Sequence, residues 1–227
     1  MLSERLSAIA GSLPEHCVVC DVGSDHGALP LYLLKNNLCS KAIVTDLNKN
    51  PLDRARHNLQ DVGVAERASF VLTDGIAEVL PLSPDAFVIA GMGGETIVGI
   101  LERGLKKIPL GTTFVLQPMT KIAVLRRYLY EYGFSIQNEK LVYENHKYFI
   151  IIDAHFDGVS RPEKVEFSEY GEFLHKLRNR TSKQYYFSLL RSLENIIFEK
   201  RKNGLNFQSD ENKRLSLLKI LEGYDEG

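Results

Sequence analysis

The 227-residue sequence has no apolar run approaching the roughly 18 residues that a bilayer-spanning helix needs. Met1–Pro14 carries Glu4 and Arg5 and lacks the long apolar core of a secretory signal; it reads instead as an amphipathic helix with Leu2, Leu6, Ile9 and Leu13 on one face. Cysteine is scarce. Three cysteines cannot all pair and none sits in a loop-rich scaffold, so no disulfide framework is expected and the cytoplasm is the expected location. Net charge is only −1, which argues neither for nor against a nucleic-acid partner. Internal repeats and low-complexity tracts are absent. What is present is an ordinary globular composition, 44% hydrophobic and 25% charged.

From Cys17 to about Ile136, short β-rich apolar runs alternate with helix-patterned segments. Strands are expected at Cys17–Val22, Lys41–Asp46, Ala68–Leu72, Asp85–Ala90 and Thr112–Gln117. Helices are expected near Leu29–Asn36, Pro51–Val62, Gly75–Leu80, Gly94–Lys106 and Lys121–Tyr132. This alternation implies βαβ units and a parallel sheet with helices on both faces. Phe134–Glu144 and Lys147–Phe156 then read as an antiparallel hairpin. Arg161-Pro162-Glu163 looks like a linker, which divides the chain into residues 1–160, an α/β domain, and 161–227, a helical one. Ser168–Lys202 reads as one helix with a short heptad seam at Tyr186, Leu189, Leu193 and Ile196. After Asn203-Gly204, a second helix capped by Ser209 carries Leu215, Leu218 and Leu221, completing an antiparallel helical hairpin.

The most informative stretch is Asp21-Val22-Gly23-Ser24-Asp25-His26-Gly27, an apolar strand running into a glycine loop with a helix behind it. Gly23 and Gly27 allow close backbone approach at the carboxyl end of the first strand, where open α/β sheets bind ligands. The loop is not G-x-G-x-x-G, because Asp25 stands where the middle glycine would be and would repel a pyrophosphate; this disfavours a nicotinamide dehydrogenase. No P-loop G-K-[ST] follows either. An acidic glycine loop suits a cofactor with cationic groups, an ammonium or a sulfonium. Asp46 ends the second strand, where a carboxylate accepts ribose hydroxyls, and Asp74-Gly75 ends the third. Each acid alone could be a helix cap. Three acids on three successive strand tips point instead to a nucleoside-shaped site. Gly91-Met92-Gly93-Gly94 and Gln117-Pro118-Met119 fall on the same rim. Positive φ in a tight turn would explain one of those glycines, and close approach by ligands explains the set better.

Other features carry less. Cys17-Val18-Val19-Cys20 has C-x-x-C spacing but lies inside an apolar strand with no second pair, so no metal is expected. His57, His155 and His175 are isolated, and His146 sits at a hairpin tip.

The Asp21–Gly27 loop, Gly91-Met92-Gly93-Gly94 and Leu116-Gln117-Pro118-Met119, in this order, resemble the motifs of the TrmK family of bacterial tRNA (adenine-22-N1)-methyltransferases. The resemblance spans the whole chain, including the helical hairpin. One departure is Gly27-Ala28-Leu29, where relatives carry bulkier residues. It implies a Rossmann-like class I methyltransferase sheet, parallel with a terminal antiparallel hairpin, S-adenosylmethionine (SAM) as methyl donor, and methylation of N1 of an adenine in tRNA. Carried onto matching positions, Asp21, Gly23, Ser24, Asp25 and Gly27 should hold the methionine moiety. Asp46 and Leu47 should hold the ribose, and Asp74 and Gly75 should face the adenine. Gly91, Met92 and Gly93 should line the space toward the target base.

Neutral adenine presents an in-plane lone pair on N1, so the reaction needs positioning more than a base. Asp25, His26 and Gln117 are the candidates for contacting the target adenine or shaping the field around it. The chain has no D/N-P-P-Y/F loop of the kind many exocyclic-amine methylases use. Residues 1–160 hold 15 Lys+Arg against 18 Asp+Glu, whereas 176–202 hold 8 basic and 2 acidic residues. Lys176, Arg178, Arg180 and Lys183 open that basic stretch and are expected to follow a phosphate backbone, with Lys121, Arg126 and Arg127 adding a patch near the rim. A solvated basic face is the plain alternative. Two other functions compete: a methyltransferase of a small molecule or protein, which has no use for the basic helix, and a non-catalytic coiled-coil module. The expected state is a monomer or weak dimer.

Overall fold

The computed structural model describes residues 2–24 and 26–224. It divides into two compact units, Met1–Glu169 and Tyr170–Gly227. The first is a Rossmann-like seven-stranded sheet in the order β3-β2-β1-β4-β5-β7-β6. Its strands are β1 (Cys17–Val22), β2 (Cys39–Asp46), β3 (Ala68–Leu72), β4 (Ala86–Gly93), β5 (Thr113–Thr120), β6 (Phe134–Glu144) and β7 (Lys147–Phe156). β1 through β5 pair in parallel and the last two run antiparallel. Phe87 and Phe114, partners across β4 and β5, stack with centroids 5.2 Å apart, and Phe134 meets Phe114 edge-on at 5.3 Å. The two-residue hairpin turn has positive φ at both Asn145 and His146, the mirror-image turn whose twist matches the flanking strands.

Helices α1 (Glu4–Ala10), α2 (Ala28–Lys35), α3 (Lys49–Asp61), α4 (Gly94–Gly104) and α5 (Ile122–Glu131) follow the expected places. The helix expected at Gly75–Leu80 does not form; only a 3-10 turn at Leu80–Leu82 appears. Pro81 and Pro84 oppose α geometry before them. Ile76 is also pressed onto α4, where a Cβ on Gly104 would lie 2.4 Å from its Cγ1.

The expected long helix from Ser168 to Lys202 is broken. A short α6 (Val165–Tyr170) ends at Gly171, with φ +86°, and α7 (Arg180–Lys202) restarts after Arg178, with φ +42°. Asn179 caps α7 reciprocally with Ser182: its Oδ1 accepts the Ser182 amide at 2.9 Å, while its own amide donates to Ser182 Oγ at 3.2 Å. α8 (Gln208–Glu222) begins one residue before Ser209, which is therefore inside the helix, not its cap. In α7 the buried seam is Tyr186, Leu190 and Ile197, and in α8 it is Leu217, Ile220 and Leu221; Ile196 and Leu215, expected inside, are exposed. At about 3.6 residues per turn Ile197, eleven residues beyond Tyr186, returns to the same face, and Ile196 falls to its side.

Residues 161–169, expected in the helical unit, belong to the first one. A buried ion pair explains why. Register slips between Ile136 and Asn138 of β6, so Gln137 bulges out and Glu139, not Asn138, turns inward. Its Oε1 accepts from Arg126 Nε on α5 at 2.7 Å, and Arg126 Nη1 donates to the carbonyls of Ser168 and Glu169 at 3.2 and 3.3 Å. Arg126 is 1% exposed. It is withdrawn from the surface patch expected to meet RNA. Glu139→Ala should strand this guanidinium and lower the unfolding free energy by about 3–5 kcal/mol in urea titration, whereas Arg126→Met with Glu139→Leu should recover most of the loss. A wild-type midpoint for the single variant would mean the pair holds nothing together.

Candidate cofactor site

β1 pairs with β2 on one side and β4 on the other, so the chain reverses direction across the sheet between β1 and β4. The strand tips diverge there, which is where ligands bind in such sheets. A cavity of about 420 Å³ opens at this point. Among the expected site residues it is lined by Gly23, Asp46, Leu47, Asp74, Gly91 and Met92.

Asp21, near the end of β1, is 7% exposed, and burial pushes its carboxyl up to about 6 despite the Ser24 hydroxyl that donates to it at 2.5 Å. The amides of Gly23 and Ser24 both donate to the Thr45 carbonyl, at 2.9 and 3.0 Å, which pins the loop to β2. Gly23 has φ +72°, and a Cβ there would lie 2.1 Å from Met92 Cε. The Met92 side chain already occupies the space that any side chain at this position would need. Asp46 Oδ1 accepts the Asn48 amide at 2.8 Å, fixing the carboxylate at the cavity wall.

Other expected residues have different work. Gly27 is bare because α3 packs on it: a Cβ would sit 3.0 Å from Ala55 Cβ and 3.1 Å from Leu59 Cδ1. Gly93 and Gly94 are bare because β5 and the start of α5 cross them, with a Gly94 Cβ falling 2.4 Å from the Lys121 carbonyl oxygen. Ligand approach was the expectation for this whole glycine run; only Gly91 and Met92 of it line the cavity. Asp21, Ser24 and Gly75 are adjacent to lining residues but are not in the wall themselves.

Gln117 is fully buried. Its Oε1 accepts from Arg5 Nη1 at 2.7 Å and from the Gly91 amide at 3.2 Å, and its Nε2 donates to the Pro118 carbonyl at 3.0 Å. With its amide committed to the protein, it holds the β4 and β5 tips in place and does not offer a surface to a base. His26 is exposed, and its carbonyl accepts from Asn58 Nδ2 at 2.9 Å. Asp25 lies outside the described residues.

Sequence reasoning missed the α4 wall of the cavity: Thr96, Ile100 and Arg103, spaced so that one helix face meets it. Arg103 Nε lies 3.8 Å from Asp74 Oδ1, and its Nη2 donates to the Asp74 carbonyl. That i, i+4, i+7 spacing on the helix after β4 was the available signal. Among the described residues, no group of three or more His, Cys, Asp or Glu side chains is arranged to hold a metal ion. Cys17, Cys20 and Cys39 are buried with thiols pushed up, chiefly by burial. No described helix is long and apolar enough to cross a membrane.

Residues 2–152 match a family model described as a methyltransferase domain. The tRNA (adenine(22)-N(1))-methyltransferase of Bacillus subtilis (strain 168) is 32% identical over 166 residues, 70% of each chain. The Streptococcus pneumoniae protein Sp1610, solved in complex with S-adenosyl-L-methionine, superposes with a TM-score of 0.87 at 27% identity, covering 97% of this chain and 100% of its own. M. capricolum TrmK in complex with S-adenosyl-homocysteine gives a TM-score of 0.82 at 25% identity over 98% of both chains.

The buried Asp21 carboxyl has a measurable consequence without any ligand. Its folded value, about 6, exceeds the ordinary 3.8, so the folded state holds this proton more tightly than the unfolded chain. The stability it contributes is fully present below about pH 4 and is lost as pH rises through about 6, by about 3 kcal/mol. Relative to Asp21→Asn, the wild-type protein should therefore lose stability between pH 4 and pH 7 in denaturant titrations; a constant difference across that range would contradict the burial argument.

Proposed function

This chain belongs to the TrmK family of tRNA (adenine-22-N1)-methyltransferases, and from that membership we infer that it methylates N1 of adenine 22 in tRNA with SAM as donor. The observation that carries the reading is the acid-edged cavity at the β1/β4 divergence, with Asp46 and Asp74 in its wall and Asp21 buried beside it. That donor set fits SAM: a carboxylate for the ribose hydroxyls at Asp46, an acceptor near the adenine at Asp74, and a negative charge near the ammonium at Asp21. The bare Gly23 leaves room for the Met92 side chain, which packs against it at the cavity wall. Arg103, paired with Asp74, closes the adenine end. SAM, when bound, supplies an electrophilic methyl on a sulfonium.

What the protein's own residues must then do is modest chemically and demanding geometrically. N1 of neutral adenine needs no deprotonation, so no side chain has to take a proton before attack. Holding N1 in line with the methyl–sulfur bond supplies the acceleration. Gln117 serves this indirectly, by fixing Gly91 against β5. His26 and Asp25, at the loop between β1 and α2, are the candidates for facing the target base. Because N1 lies on the Watson–Crick edge, a paired or stacked adenine must first be extruded.

The basic stretch of α7 serves the RNA. Arg178 is set apart from it, because its guanidinium stacks over Tyr224 at 5.1 Å and its Nη1 donates to the Ile220 carbonyl at 3.5 Å, at the C-terminal end of α8. Arg180, Lys183 and Arg191 are the α7 cations offered to the RNA, with Lys176, which also pairs with Glu172, before them and Lys121 and Arg127, the latter paired with Glu163, on the first unit. The enzyme works in the cytoplasm, as a monomer or weak dimer.

Incubation of unmodified tRNA with labelled SAM, followed by digestion, should yield N1-methyladenosine, and Asp46→Ala should weaken SAM binding about 10-fold or more. Recovery of a different methylated nucleoside would reassign the target atom. Charge reversal at Arg180, Lys183 and Arg191 should weaken tRNA binding and flatten the slope of log affinity against log salt by roughly 0.9 for each phosphate no longer neutralised, with SAM affinity unchanged. Unaltered tRNA affinity would remove α7 from the interface.

A further inference from the structure

The acids of the cavity, Asp46 and Asp74, stand at the ends of β2 and β3, to one side of β1, with Arg103 of α4 paired to Asp74; on the other side, outside the cavity wall at the tips of β4 and β5, stands a second cation, Arg5. Arg5 comes from α1, a helix of seven residues that is too short to persist alone. It is clamped at both ends by β6. Glu144 Oε1 accepts the Glu4 amide at 3.0 Å at the positive end of the helix dipole. At the negative end, Lys140 Nζ donates to the Ala8 carbonyl at 3.4 Å, the Gly11 carbonyl at 3.2 Å and Ser12 Oγ at 2.6 Å. Ile9, fully buried, pins the middle.

This clamping aims one side chain. The Arg5 guanidinium donates to Gln117 Oε1 at 2.7 Å, lies over the Phe149 ring at 5.4 Å, and comes within 3.6 Å of where a Cβ on Gly91 would be. Gly91 lines the cavity. Among the described residues, no carboxylate pairs with Arg5. A partly buried guanidinium with Nη1 anchored on Gln117 still has donors for a planar or tetrahedral anion. A cation at this position repels the donor's sulfonium and suits an anion, either the donor's own carboxylate or a phosphate of the acceptor; SAM affinity, unchanged or lowered when Arg5 is removed, separates the two.

We propose that Arg5 is a positioning residue that holds a phosphate of the RNA nucleotide presented to the cavity, so that the base attached to it meets the methyl group from the β4–β5 side. The proposal rests on the reading of the protein as an RNA methyltransferase. It gives the two flanks different work: Asp46 and Asp74 take the cationic donor, and Arg5, free of any carboxylate partner among the described residues, takes the polyanionic acceptor.

The test uses the full chain, saturating SAM and tRNA assembled from synthetic fragments in which each phosphate flanking the target adenosine is replaced in turn by a neutral methylphosphonate. Arg5→Ala should lower kcat/KM for native tRNA about 10- to 100-fold, the worth of a charge-assisted hydrogen bond, with SAM affinity unchanged by calorimetry. At one phosphate, neutralisation should cost the wild-type protein a similar factor yet cost Arg5→Ala less than about two-fold more. A residue that merely braces α1 would leave the two losses multiplicative at every phosphate, and that result overturns the proposal. So does a wild-type kcat/KM in Arg5→Ala. If the alanine variant fails to fold, Arg5→Lys, which keeps the charge and loses the fork, carries the same cycle, with partial sensitivity to the same phosphate as the expected result. No methyl transfer to native tRNA by the wild-type protein would defeat the functional reading itself, and the proposal with it.

Discussion

Parallel pairing of Val19–Val22 with Ala86–Ile89 is the constraint on which the rest of the molecule depends. It brings β4 beside β1 and leaves β2 and β3 to the other side, so the loops leaving β1 and β4 must turn away from one another. The cavity exists because of that divergence. Asp46 and Asp74 reach it from one flank, Gly91 and Met92 from the other, and no single loop has to build the whole site. The cost falls on Asp21, whose carboxyl is buried at the end of β1 with burial opposing its charge. Stability is given up there for a negative charge that solvent barely screens.

Two ion-bearing devices hold the periphery in register with that centre. Arg126 and Glu139 join α5 to β6 and reach the backbone of Ser168 and Glu169, fixing how the sheet domain ends. Lys140 and Glu144, on the same strand, hold α1. β6 thus presents Glu139 inward and, one residue on, Lys140 toward α1. The bulge at Gln137 sets this alternation; an unbulged strand would send Asn138 to the core and face both charges the other way.

Much of this was legible from residue order. β1, β3 and the β6–β7 hairpin were found at their observed limits because turn residues and polar positions bound their apolar runs on both sides. The acids of the cavity wall, Asp46 and Asp74, were legible because strand ends were. What escaped notice depends on partners distant in sequence. Ile76 packs on Gly104 and removes a helix that local pattern favoured. Arg126 looked like a surface cation because Arg on an amphipathic helix usually is one, and its partner lies across a bulge that no pattern announced. Gln117 was singled out by its position at the strand tip, and the same position is where Arg5 and Gly91 converge on its amide. Arg5 and Arg103 belong to no motif, and their importance appears only once helices α1 and α4 have been laid beside the cavity.

The dependence of α1 on β6 also orders events in time. Glu4 and Glu144 lie 140 positions apart, and Ser12 and Lys140 lie 128 apart, so these contacts are among the most non-local in the chain. During synthesis α1 emerges well before the hairpin that secures it, and loop closure over that span must precede any reward from docking. The flank of the cavity that carries Asp46 and Asp74 needs only β1 through β4, whereas the tip that carries Arg5 waits for β6. A nascent chain would accordingly shape the acid-lined flank before it places Arg5.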